Sequence, residues 1–279
     1  MSVAVPERGA GGEVSSPSVA SGAPLGDLDV PGCDFDAEDQ TLGAEPPADE
    51  WLQRRLRSFG ASEVAALMIA TGRRNAADYP QWVQDLAKPI RVKGGKAPRL
   101  FARKALLSSQ GKLSSVAAAG TRRERELYEA ALRLIEAGTL PGGGGLLLPE
   151  GLRYVPDHVP REWLPKRDDV EDRLSATPDA YCLKDALGRQ VAVELKCTAH
   201  AVLTVPPHYA LQLQAQMACM GAESGVLVVG QQWAAGWQPD GPVCAWDVER
   251  DDAVITELRE AAREGWAVVQ QLVEGVSNG

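Results

Sequence analysis

The chain has 279 residues, 44% of them hydrophobic and 24% charged, with a formal net charge of -9. That length supports a core without staples, and the composition excludes collagen, coiled coil and wholesale disorder. Five scattered cysteines (Cys33, Cys182, Cys197, Cys219, Cys244) contain no C-x-x-C pair, and the histidines (His158, His200, His208) show no H-x-H or H-x-x-x-H spacing, which argues against a disulfide framework, a zinc ribbon, an iron–sulfur site and a zinc hydrolase. No apolar run approaches the roughly 20 residues of a membrane span, and the N-terminus lacks a basic n-region and an apolar h-region, so the expectation is a cytoplasmic chain with no membrane association.

The charge is unevenly distributed. Residues 1–50 hold eleven acids against one base, Arg8, a net of -10. Residues 51–125 hold 16 Lys and Arg against four acids (Glu63, Asp78, Asp85, Glu124), a net of +12. A stretch of that sign is either the footprint of a polyanion-binding surface or a solvated face that offsets acids elsewhere in the fold.

In chain order, residues 1–48 combine Gly, Ser, Pro and acids with few large apolar groups, a composition that reads as a disordered tail. One domain over 49–279 follows, with a helical basic part over 49–119 and a core over 120–279. A short helix is expected over 51–57, and a second with Ser62 as its N-cap, running through Val64, Leu67 and Met68. Residues 88–99 (KPIRVKGGKAPR) read as a basic loop, and 120–137 as an amphipathic helix ended by Gly138. After the PGGGG turn at 141–145, GLRYVP reads as a strand and 157–175 as a charged loop. Strands over 179–184 and 190–196 flank an Asp185–Gly188 turn; a helix over 207–220, strands over 225–230 and 243–248, and a terminal helix over 251–273 complete the order. This is an α/β (α+β) pattern.

The strand over 190–196 alternates, so Glu194 and Lys196 project together and Val193 and Leu195 point the other way. An isolated E-x-K is common on half-exposed edge strands. The hairpin changes its context by bringing Asp179 of Thr177-Pro178-Asp179 alongside Glu194. Two adjacent carboxylates offer the hard oxygen donors that Mg²⁺ or Mn²⁺ prefers, and a neighbouring lysine can orient an attacking water. On the helix over 120–137, Glu124 shares the stripe of Leu127, Tyr128, Ala131 and Ile135, whereas Glu126 falls about 160° away. Glu124 is either a third acid of the site or a capping carboxylate favoured by the helix dipole. Tyr209, Gln212 and Gln216 recur at i, i+3 and i+7, with Gln214 pointing roughly opposite; either Gln212 lies over the metal site, donating to a phosphate or to the lysine, or the glutamines are surface filler.

These residues resemble a known family. G-x-x-x-E (Gly120, Glu124), T-P-D (Thr177, Pro178, Asp179), E-L-K-C (Glu194 to Cys197) and Y-x-x-Q-x-Q (Tyr209, Gln212, Gln214) are similar to the motifs of the phage lambda exonuclease and YqaJ-type viral recombinase nucleases, in the PD-(D/E)XK superfamily. W-x-x-x-R-L followed by A-S-E (Trp51, Arg55, Leu56, Ala61, Ser62, Glu63) resembles that family's opening helix and 5′-phosphate pocket. The resemblance spans about residues 50–265; Ala180 stands where the family usually has Gly, and Thr198 where Pro often follows.

The resemblance implies a restriction-endonuclease-like three-layer core, a central mixed sheet flanked by helices. It also implies metal-dependent, processive 5′→3′ digestion of one strand of linear double-stranded DNA in phage-type recombination, in a bacterial or phage-infected host cell. By the same resemblance, Asp179, Glu194 and the Leu195 carbonyl would hold Mg²⁺ (or Mn²⁺), with Glu124 contributing directly or through water. Lys196 would position the nucleophilic water, Gln212 would support it, and Arg55, Ser62 and Thr177 would bind the 5′-phosphate. A single-strand annealing protein as partner and a ring-shaped homotrimer belong to the same expectation. Alternatives on this superfamily scaffold are a RecB-like or structure-specific endonuclease and a catalytically inactive DNA-binding protein.

Overall fold

The structure is a computed structural model that describes residues 57–93, 95–110, 121–155, 168–169, 172–198, 201–231 and 241–277. The tail expected over 1–48 lies outside them, as does the helix expected over 51–57 except for Arg57, which sits in a turn.

Alternation and β-branching build the sheet. The eight residues of β8 (Val191–Thr198) place Val191, Val193 and Leu195 on one face and Ala192, Glu194 and Lys196 on the other. β8 runs antiparallel to β7 (Ala180–Cys182), which pairs in turn with β4 (Leu152–Tyr154). On its other edge β8 is parallel to β9 (Ser224–Gln231), and β9 is antiparallel to β10 (Val243–Glu249), giving one five-stranded mixed sheet in the order β10-β9-β8-β7-β4. A parallel pair needs a crossover, here supplied by α5 (Pro207–Met220).

Both faces of the sheet are covered. Leu127 and Ala131 of α4 (Thr121–Glu136) pack with Val193, Leu195, Val226 and Val228, while Leu213 and Met217 of α5 pack with Ala192, Leu227 and Val229. The other side of α5, through Leu211, Ala215 and Cys219, meets a helical cluster. That cluster contains Leu67 and Met68 of α1 (Val64–Ala70), Phe101 of α3 (Arg99–Gln110), and Leu258, Ala262 and Trp266 of α6 (Asp252–Ser277). α4 ends as expected at Gly138, at φ +66°, where Thr139 N–H donates to the Leu134 carbonyl at 2.8 Å. No helix among the described residues is long and apolar enough to cross a membrane.

Three expectations need correction. Ser62 is exposed and caps nothing: residues Ala61–Glu63 form a 3₁₀ turn before α1, and the Glu63 carboxylate accepts from Gly60 N–H at 2.8 Å. Residues 88–99 are not a loop, because β2 (Pro89–Val92) and β3 (Gly95–Pro98) form a hairpin whose inner residues Ile90 and Ala97 are register partners. Within the expected loop over 157–175, β5 (Asp168–Asp169) and β6 (Leu174–Ser175) pair with each other, and β6 also pairs in parallel with β1 (Phe59–Gly60). Two helices went unread, α2 (Gln81–Ala87) and α3. In α3 the buried positions Leu100, Phe101, Lys104 and Ala105 include a lysine, which interrupts the apolar stripe and is neutralised by Glu63 at 2.7 Å.

The β7–β8 turn is held by one buried side chain. Asp185 accepts from Leu187 N–H at 2.8 Å and Arg189 N–H at 2.9 Å through one oxygen, and from the Arg189 guanidinium at 2.8 and 3.0 Å through the other. Burial works to raise its pKa, but the Arg189 and backbone hydrogen bonds outweigh burial and hold it below the ordinary carboxylate value. Its contribution to stability is therefore present at neutral pH and lost as acid protonates it. Asp185→Ala is expected to cost about 2 kcal/mol and to lower Tm by about 5 °C at pH 7; in melts across acidic pH the gap should close as the wild-type carboxylate is protonated.

Candidate active site

The register of the β7–β8 ladder sets the site. Ala180 pairs with Val193, so Asp179, one residue before β7, falls opposite Glu194. There the Asp179 side chain continues the ladder, its Oδ2 accepting from Leu195 N–H at 2.8 Å. A residue's N–H and C=O leave an extended strand on the same edge, so the Leu195 carbonyl also lies on the Asp179 side.

Glu194 is fully buried, with 0% exposure, on a strand flanked on both edges. That removes the reading of E-x-K as a solvated edge-strand face. A buried carboxylate must be satisfied. Gln212 Nε2 donates to Glu194 Oε1 and Gln216 Nε2 to Oε2, each at 2.5 Å, and the Lys196 ammonium also pairs with Oε1. Lys196 Nζ lies 3.6 Å from Asp179 Oδ2 and sits over the Tyr209 ring, 5.9 Å from its centroid. Four of the expected residues, Asp179, Glu194, Lys196 and Gln212, thus converge.

The remaining assignments differ in detail. Gln212 donates to the Glu194 carboxylate rather than to the lysine. Gln216 is fully buried and holds the second Glu194 oxygen; it was not assigned from sequence, although its i, i+4 spacing from Gln212 placed both on one helix face. Gln214 is buried rather than surface filler: it donates to the Glu249 carbonyl at 2.7 Å and accepts from Asp251 N–H at 2.9 Å, anchoring the start of α6. Glu124 is half-buried in the first turn of α4, and its charge acts on Lys196. Glu126, about 160° round the helix from Glu124, is also half-buried. Ser62 and Thr177 are exposed and, among the described residues, form no hydrogen bond to this cluster; Arg55 lies outside the described residues.

Burial dominates the electrostatics. It pushes the Glu194 carboxyl up to about 7, the Asp179 charge adds to the rise, and Lys196 and Gln216 oppose it. For Lys196, burial works to lower the pKa, but Glu194, Asp179 and Glu124 outweigh it and the ammonium is held firmly protonated. Tyr209 is raised, chiefly by burial.

Among the described residues, no group of three or more His, Cys, Asp or Glu side chains is arranged to hold a metal ion. The oxygens that could hold a cation here are two carboxylates and a peptide oxygen, from Asp179, Glu194 and Leu195. All-oxygen donors in that small number fit a hard cation such as Mg²⁺, which keeps several waters and binds through one or two carboxylates plus substrate phosphates.

Comparison with solved structures places this geometry in a known fold. LHK-Exo in complex with dAMP superposes with a TM-score of 0.52 at 20% identity, over 82% of this chain and 96% of that one. The chain has the fold of LHK-Exo. A second structure of that protein, described as an alkaline exonuclease from Laribacter hongkongensis, has a TM-score of 0.49 at 20% identity over 82% of this chain and 96% of its own. A phage related exonuclease from Haemophilus somnus 129PT has a TM-score of 0.44 at 15% identity, over 63% of this chain and 81% of that one. No family model matches the chain, and no curated protein matches it. The lambda-exonuclease-type resemblance carried by the motifs therefore agrees with the fold.

The raised Glu194 pKa has a measurable sign. An ordinary glutamate stays ionised down to 4.5, whereas Glu194, raised to about 7, would take up its proton earlier in acid and would then be unable to serve as a cation ligand. Calorimetric titration with Mn²⁺ is expected to show constant affinity above pH 8 and a loss of about tenfold per pH unit below pH 6. Affinity that does not change between pH 5 and 8 would exclude Glu194 as a ligand.

Proposed function

We propose that the chain is a Mg²⁺-dependent deoxyribonuclease, an exonuclease that hydrolyses phosphodiester bonds of linear double-stranded DNA in the 5′→3′ direction. The observation that carries this reading is the fully buried Glu194 bound to Lys196, with Asp179 3.6 Å from the same ammonium. Burying such charges costs several kcal/mol, a cost that packing alone gives no reason to retain.

Asp179, Glu194 and the Leu195 carbonyl would hold the cation, with Glu124 nearby. When bound, the cation would supply charge stabilisation to a phosphate oxygen and a more acidic water. The protein's own groups do the rest. Lys196, fixed by two carboxylates and backed by the Tyr209 ring, keeps its proton and donates a hydrogen bond to the attacking water, aiming the oxygen at phosphorus. Gln212 and Gln216 hold both Glu194 oxygens, so the carboxylate cannot rotate away as charge shifts. In the same reading Arg55, Ser62 and Thr177 would meet the 5′-phosphate, an arginine fork matching its oxygens bidentately. A homotrimer that threads duplex and releases single strand, working with an annealing protein, is the assembly this reading carries.

The test is digestion of 5′-phosphorylated linear duplex in the presence of Mg²⁺. Asp179→Ala and Lys196→Ala are each expected to lower kcat by at least about 100-fold, with kcat lost far more than KM is raised. Full activity in either variant would remove the chemical basis of the reading, and cutting of closed circular DNA would move the assignment to an endonuclease.

A further inference from the structure

Outside the carboxylate cluster, the most conspicuous exposed aromatic among the described residues is Trp82 on α2, with half of its surface (50%) in solvent. It is not isolated. Its ring stands edge-on to His208, with centroids 5.8 Å apart at 86°, and His208 lies 4.0 Å from Tyr209, over which Lys196 sits. The rings form a continuous chain from solvent to the lysine of the candidate site, each step shorter than 6 Å.

The segment that follows Trp82 is basic and unneutralised. Lys88, Arg91, Lys93, Lys96 and Arg99 are all exposed, and none is ion-paired among the described residues. Within the hairpin, Arg91 and Lys96 are direct register partners, two like charges facing each other across β2 and β3. Such a pair destabilises an isolated hairpin, a penalty relieved when an anion bridges it. The inner face is fixed by Ile90 and the buried Ala97, so the charged face cannot turn inward.

A half-exposed indole followed along the chain by exposed cations that are not ion-paired among the described residues is the combination that takes single-stranded nucleic acid: the phosphates follow the charge, and an unstacked base rests on the ring. We propose that Trp82 and the outer face of the β2–β3 hairpin form a binding track for a single-stranded stretch of DNA, with one unpaired base stacked on Trp82. The ring chain through His208 and Tyr209 links that base to Lys196. This subsite rests on the nuclease reading for its biological purpose, not for its chemistry.

Binding of a fluorescein-labelled single-stranded oligonucleotide to the full chain, followed by anisotropy in EDTA so that nothing is cleaved, tests the track directly. Trp82→Ala is expected to weaken binding about tenfold, Trp82→Phe to restore most of it, and affinity for blunt duplex to change little in either. The Arg91→Ala/Lys96→Ala double variant should lower the salt dependence of single-strand binding by about 1.4 in slope, two phosphate contacts' worth. Circular dichroism of each variant confirms that it folds. Wild-type single-strand affinity in Trp82→Ala, or an equal loss on blunt duplex, would overturn the track even if the protein digests DNA. Conversely, the expected Trp82 effect in a protein inactive with Mg²⁺ and Mn²⁺ would leave the track standing and sink the nuclease reading.

Discussion

A negative charge with no access to water organises the centre of this molecule. Glu194 sits on an interior strand beneath a helix, where an unpaired carboxylate would be prohibitive. Lys196 from two residues along the same strand and two amides from α5 meet its oxygens, and Asp179 from the neighbouring strand shares the lysine. Remove any one of these and the others are left exposed to a low dielectric, so β7, β8 and α5 are tied to one another by polar requirement as well as by apolar contact.

The packing of α5 explains why so many glutamines occur in so buried a helix. With the sheet on one side and α1, α3 and α6 on the other, nearly every residue from Leu211 to Met220 is enclosed. Each of its three glutamines is therefore committed to a polar partner. Gln212 and Gln216 face the carboxylate, and Gln214 on the opposite side ties down the entry to α6. The helix serves as a spacer between the chemical layer and the basic N-terminal half, and it sets the distance between them.

Much of this was legible in the chain because periodicity reports burial. The alternation over 191–196, the helical stripe through Leu127 and Ala131, and the position of Asp179 across from Glu194 all followed from strand and helix geometry and match the structure. What escaped reading did so for identifiable reasons. Pro89, Gly95 and Pro98 are poor strand residues, so a hairpin held largely by Ile90 and Ala97 looked like a loop. Lys104 hid the buried stripe of α3 because its charge is cancelled by Glu63, far upstream, a contact no local window contains. Strands of two residues, such as β1 and β6, carry no period at all. Gln216 was missed because an amide inside an apolar helix signals function only once the charge it satisfies is known.

The mixed direction of the sheet carries a further consequence. Asp179 reaches Glu194 across the β7–β8 hairpin, and Gln212 and Gln216, 18 and 22 residues beyond Glu194, reach it from α5, the crossover that leads from β8 into the parallel β9. The parallel β8–β9 ladder, which pairs Val191 with Ser224, closes a longer loop than the hairpin and is the later of the two to form. Opening of that ladder therefore frees α5 and the two amides that fix Glu194 while the β7–β8 hairpin still keeps Asp179 opposite it, so the carboxylate pair loses its clamp before it loses its register.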